Sequence, residues 1–128
     1  MISQETIRAT VASYFAANEA LDVERFISAF APDATFYYAG PVSPVSGPQA
    51  VRQVAEFSLA PFSALKATIN HIFCVENGAA VSYTVQLTGK NGRTASSEGI
   101  DVMEIDSAGK ITSIRFYMDQ ETLLPLLA

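Results

Sequence analysis

Between Ser3 and Ala20 the inward positions recur as Ile7, Val11, Tyr14, Phe15 and Asn18, spaced i, i+4, i+7, i+8 and i+11. That is the period of an amphipathic helix, and it sets Tyr14 on the inner face. Asp22 is placed to cap a second short helix, on which Phe26 and Phe30 share a side and which Pro32-Asp33 ends. Ala34 to Tyr38 has strand composition, and the Gly40 to Gly47 segment reads as a loop. Pro48 fits the first turn of a third helix, which runs to about Ala60 before Pro61.

The period then changes. Thr68–Val75, Ala79–Leu87, Thr94–Ile105 and Ile111–Met118 read as four strands. Asn77-Gly78, Asn91-Gly92 and Ser107-Ala108-Gly109 separate them, and these are turn signals of antiparallel hairpins. The apolar tail from Glu121 to Ala128 is expected to pack back on the body. Helices gathered on one face of an antiparallel sheet make an α+β fold. A long curved sheet closed by helices leaves a cavity at its open end, where ligands commonly bind.

Composition sharpens this picture. The 128 residues are a single-domain length, 49% hydrophobic and 16% charged, which excludes disorder and leaves apolar surface for a pocket lining or a dimer interface. The net charge is -5 and the eight basic residues are scattered, so neither a phosphate backbone nor an anionic membrane has a patch to bind. No run of 18 apolar residues and no signal-type apolar segment occurs, so the chain reads as cytoplasmic. Cys74, in Ile72-Phe73-Cys74-Val75, reads as a small buried hydrophobe. One histidine and one cysteine cannot build a metal set, and no glycine loop matches a nucleotide fingerprint, so no metal or cofactor is expected.

Two polar groups interrupt apolar faces. Tyr14 needs a partner or a ligand for its inward hydroxyl. Asp101 shares strand parity with Gly99, Met103 and Ile105, and a carboxyl there either meets solvent or is desolvated toward its protonated form.

Tyr14 with Asn18 to Asp22, Phe30-Ala31-Pro32-Asp33-Ala34-Thr35, Ser46-Gly47, Ile100-Asp101 and Ala108-Gly109-Lys110 together resemble the bacterial ketosteroid isomerases and SnoaL-like proteins. The resemblance implies the cone-shaped fold of the NTF2-like superfamily. It also implies that Tyr14 and a protonated Asp101 form an oxyanion hole, two neutral donors aimed at a carbonyl oxygen in a dry cavity. By the same matching Phe30, Phe57, Tyr83, Val85, Leu87, Met103, Ile114, Phe116 and Met118 line a pocket for a small hydrophobic, steroid- or polyketide-like molecule. The family's general base is an aspartate on the first strand, and Tyr38 stands in its place. A phenol with a pKa near 10 is a poor base at neutral pH.

Tyr38 and His71 are also similar to the strand tyrosine and histidine of the fungal scytalone dehydratases, which implies a proton-moving role for both. The dehydratase's helical aspartate has no counterpart, since Ala16 is near that position. Some SnoaL-like cyclases use a late carboxylate, for which Asp119 is the candidate. Parity with Arg115 and Tyr117 sets Asp119 on the opposite face, beside Arg115 at a dimer surface. The isomerase relatives bury that outer face in a two-fold homodimer, and Ile100, Val102, Thr112 and Tyr117 would form it here. The resulting expectation is an enzyme of allylic isomerisation, dehydration or cyclisation. The alternative is a non-catalytic module of the same fold that binds a hydrophobic ligand or dimerises.

Overall fold

Ser3 starts the first helix, its hydroxyl accepting the Thr6 N–H at 3.1 Å. In this computed structural model, which describes residues 2–38 and 43–127, α1 spans Gln4–Glu19 and buries Ile7, Val11, Tyr14 and Phe15. Leu21 turns the chain with φ 52, and Asp22 caps α2 (Val23–Ser28) by accepting the Arg25 N–H at 3.1 Å. Phe30 is not helical. It opens β1 (Phe30–Tyr38), although its ring still stacks on Phe26 at 5.1 Å.

Pro32-Asp33 therefore lies inside a strand rather than ending a helix. The strand tolerates them by bulging: Phe30 pairs with Ile111 and Thr35 with Ser113, so five steps on β1 face two on its neighbour. Proline fits such a place because no ladder hydrogen bond is asked of it. Gly40, Pro41 and Val42 of the expected loop lie outside the described residues, as does Ala128. Val45–Ser46 forms a short β2 against β1, and α3 (Pro48–Leu59) begins on Pro48 as expected.

β3 runs Phe62–Val75, six residues longer at its start than the pattern predicts. Ala64, Leu65, Lys66 and Ala67 are helix formers by propensity, but pairing with Leu87 and Val85 on β4 (Gly78–Gly89) overrides it. β5 (Thr94–Ile105) and β6 (Ile111–Met118) follow, then α4 (Gln120–Leu127), in which the apolar tail is helical. The sheet order is β2-β1-β6-β5-β4-β3. Every pairing is antiparallel except β1 with β6, which is parallel.

This is an α+β fold with a curved, unclosed six-stranded sheet, and the helices pack on its inner face. Val11, Phe26, Phe36, Met103 and Ile114 fill the closed end. β3 forms the free edge of the sheet, where the Glu19 carboxylate at the end of α1 accepts the Ala67 N–H at 2.8 Å. Among the described residues no helix is long and apolar enough to cross a membrane.

Candidate functional site

Where the helices diverge from the sheet they leave a cavity of about 480 Å³. α1 contributes Tyr14, Phe15 and Asn18, β4 contributes Tyr83, Val85 and Leu87, and β6 contributes Phe116 and Met118. The mouth is formed by Phe57 on α3, 73% exposed, and by Leu124 on α4, 62% exposed. Asp101, 2% exposed, is the sole carboxyl in the described lining, which holds no lysine, arginine or histidine.

Register explains how Asp101 comes to be there. Across β5, Asp101 is flanked by Val81 on β4 and Phe116 on β6. Two residues away on the same face, Tyr83 lies opposite Gly99. The Tyr83 hydroxyl crosses diagonally and donates to Asp101 Oδ1 at 3.2 Å. Burial pushes the Asp101 carboxyl up to about 7, and the Tyr83 hydrogen bond opposes that rise. Burial also raises the Tyr83 phenol, with the Asp101 carboxyl adding to it.

Tyr14 occupies the same cavity from the helical side. Its ring is held edge-on by Phe15 at 5.3 Å and by Phe30 at 5.8 Å. Burial first, and the Asp101 carboxyl second, push its phenol well above the ordinary value, so Tyr14 is a neutral donor at physiological pH. Asn18 also lines the pocket, and its side-chain amide donates to the Tyr14 backbone carbonyl at 2.9 Å. Tyr38, half-buried, stands against Phe116 with ring centroids 5.6 Å apart, and burial raises its phenol too.

The lining thus brings together Tyr14, Tyr38, Asp101, Phe57, Tyr83, Val85, Leu87, Phe116 and Met118 from among the expected residues. His71 is not with them. Leu65, Ala67 and Ile69 point inward at alternate positions, but the β3–β4 register slips between Ile69 and His71. A one-residue slip inverts the facing of all that follows, so His71 turns outward and stacks on Phe73 at 4.1 Å. Phe30, Met103 and Ile114 are not lining residues either. They sit in the closed core, where Met103 meets Ile114 across the β5–β6 ladder and Phe30 packs against Phe36 at 4.9 Å.

Asp119 does not pair with Arg115. Its carboxylate caps α4, accepting the Glu121 N–H at 3.0 Å and the Thr122 hydroxyl at 3.3 Å. Arg115 instead lies over the Tyr37 ring, 3.9 Å from its centroid. On the outer face Ile100 is 45% and Tyr117 49% exposed, while Val102 and Thr112 are half-buried. Among the described residues no group of three metal-ligating side chains forms.

A profile of the SnoaL-like domain matches residues 11–114 of the chain. Among solved structures, the epoxide hydrolase/cyclase-like enzyme SalBIII of pyran ring formation in salinomycin is 20% identical, with a TM-score of 0.82. The match covers 95% of this chain and 97% of that one. The Δ5-3-ketosteroid isomerase from Mycobacterium sp. is 21% identical at a TM-score of 0.77, covering 91% and 95%. RV0760c from Mycobacterium tuberculosis, in complex with estradiol-17β-hemisuccinate, is 20% identical at a TM-score of 0.77, covering 91% and 96%.

Proposed function

The chain belongs to the SnoaL-like domain family, within the NTF2-like superfamily, and from that premise we propose an enzyme that moves a proton at an oxygen function of a small apolar carbonyl or hydroxy compound. The observation that carries this reading is Asp101: a carboxyl 2% exposed in a cavity wall, pushed up to about 7. A buried carboxyl with a shifted pKa beside a ligand-sized space is what proton transfer near neutrality requires.

In the protonated state Asp101 is a donor, and Tyr14 is a second one in the same low-dielectric space. A substrate oxygen held between them would have its developing charge stabilised by two groups that need no reorganisation. The rest of the wall is hydrocarbon and aromatic, which suits a neutral, largely apolar skeleton and offers no cation for a phosphate or carboxylate. RV0760c accommodates a steroid ester on the same fold, which agrees with a hydrophobic ligand here.

The described lining contains no second carboxylate, and Tyr38 is raised rather than lowered. Removing a proton from carbon therefore lacks a strong base. Opening an epoxide with an internal hydroxyl breaks no C–H bond: Asp101 gives its proton to the ring oxygen as the C–O bond breaks, and the attacking hydroxyl's proton returns to Asp101 through water as the new C–O bond forms. Cyclisation is therefore favoured over allylic isomerisation and dehydration, both of which take a proton from carbon. The same lack of a base is what favours the second reading, a hydrophobic-ligand carrier without turnover. For assembly we adopt a homodimer joined through the outer face of β5 and β6, where Ile100 and Tyr117 leave apolar area in the open.

The test is turnover of a panel of small epoxy-alcohols and β-hydroxy ketones by the wild type and by Asp101→Asn. We expect the wild-type rate to fall as pH rises through about 7. The amide keeps a donor but cannot release a proton, so a loss of about 10²–10⁴-fold is expected. Undiminished ligand affinity in both proteins with no turnover of any compound would establish the carrier instead.

A further inference from the structure

Resting on that reading of Asp101, we infer that Tyr83 is its positioning residue and that Gly99 is the gap that lets Tyr83 reach it. The Tyr83 hydroxyl holds Asp101 Oδ1 and leaves Oδ2 as the oxygen that carries the exchangeable proton.

The geometry begins at the β4–β5 ladder. The direct partner of Asp101 on β4 is Val81, which has nothing to offer a carboxyl. Tyr83 is two cross-strand pairs further on, the next on the same face, opposite Gly99, and diagonal neighbours on one sheet face are reached only by long side chains. To reach, the tyrosine must lie down over the position of its own partner. A Cβ at Gly99 would stand 2.5 Å from the Tyr83 hydroxyl oxygen, 2.7 Å from its Cζ and 3.1 Å from the Tyr117 carbonyl oxygen. No Cβ fits there while the Tyr83 ring lies across the position, so a glycine in the middle of a long strand is accounted for by the ring that crosses it. Phe15 closes the other side, edge-on to Tyr83 at 5.2 Å.

The consequence for Asp101 is chemical. Oδ1 accepts from Tyr83 in both protonation states, because the phenol, raised by burial, keeps its proton throughout. The acid proton is therefore confined to Oδ2, and the carboxyl is kept from rotating. The groups that face Asp101 are Val81 and Tyr83 from β4, Phe116 from β6 and Tyr14 from α1. None of them carries a charge near neutrality, so Tyr83 is the neighbour whose removal should change the proton affinity of Asp101 most directly.

The experiment follows the carboxyl itself. The Asp101 side-chain carbon is titrated by carbon-13 NMR in the wild type, in Tyr83→Phe and in Gly99→Ala. Loss of a hydrogen bond to the charged form should raise the Tyr83→Phe midpoint by on the order of one pH unit. Gly99→Ala, which displaces the hydroxyl, should move it the same way, and the double variant should move it no further. An unchanged or lowered midpoint in Tyr83→Phe overturns the inference, and this conservative variant decides alone if Gly99→Ala does not fold. If the midpoint moves and no compound is turned over, the positioning holds and the enzymatic reading fails. If turnover is found while the midpoint stays, the positioning fails and the enzyme stands.

Discussion

Asp101→Asn should make the protein more stable at mildly alkaline pH, and the amount follows from where the carboxyl sits. An ordinary aspartate titrates near 3.8, and burial pushes Asp101 up to about 7. Between those values the folded chain holds a proton that the unfolded chain has released. Unfolding free energy therefore falls as pH rises across this window, the opposite of the behaviour of a salt-bridged aspartate. At about 1.4 kcal/mol per pH unit, the interval of roughly three units amounts to about 4 kcal/mol. The contribution is intact below 3.8 and gone once pH has passed about 7. Asparagine keeps an oxygen for the Tyr83 hydroxyl and never ionises, so it removes the slope without removing the contact. Urea unfolding of both proteins across this range gives a difference curve in which the other titrating groups cancel. The two should be close in stability at the acid end, and the variant should be ahead by up to about 4 kcal/mol at the alkaline end. A difference that is flat with pH would falsify the assignment of Asp101 as a carboxyl kept neutral by burial.

Tyr38→Asp supplies a carboxylate at the first-strand position, and it should gain 5-androstene-3,17-dione isomerisation by about 10²–10⁴-fold over a very low wild-type rate; robust wild-type activity would mean that another base is present. Tyr117→Glu sets a charge on the exposed outer face and should convert the proposed dimer into a 13.7 kDa monomer by light scattering, and a wild type that is already monomeric defeats the dimer. Leu126, 2% exposed, pins α4 to the body, so Leu126→Ala should cost about 2–5 kcal/mol in urea and loosen the cavity mouth, read as faster release of a bound hydrophobic dye.

The helix period of α1 and the strict alternation of β5 are strong signals, because each face meets one environment along its whole length. Tyr14 and Asp101 were legible for the same reason: each is a polar group on a face otherwise given to the core. His71 was not, because its facing depends on a bulge, and a bulge is set by pairing between strands rather than by composition. The early part of β3 was hidden by residues that prefer helices and are overruled by their neighbours. Matching could list Phe30, Met103 and Ile114 with the pocket, since lining and core residues share a sheet face and differ only in how closely a helix approaches. The Tyr83–Asp101 bond needs the register of two strands to be known. Its one sequence signal is Gly99, an interior strand glycine on the same face as Asp101.

β3 is fourteen residues long and no strand among the described residues lies beyond it, which is the arrangement most prone to recruiting another chain. Two features described above blunt it. The Glu19 carboxylate occupies the Ala67 N–H, so the outward row of donors is already interrupted near its middle. The slip between Ile69 and His71 then breaks the spacing that an incoming strand would have to match. An intruder pairing from the Val75 end would lose register before it reached Ala67. The sheet can therefore present a long unpaired border to water without acting as a template for aggregation.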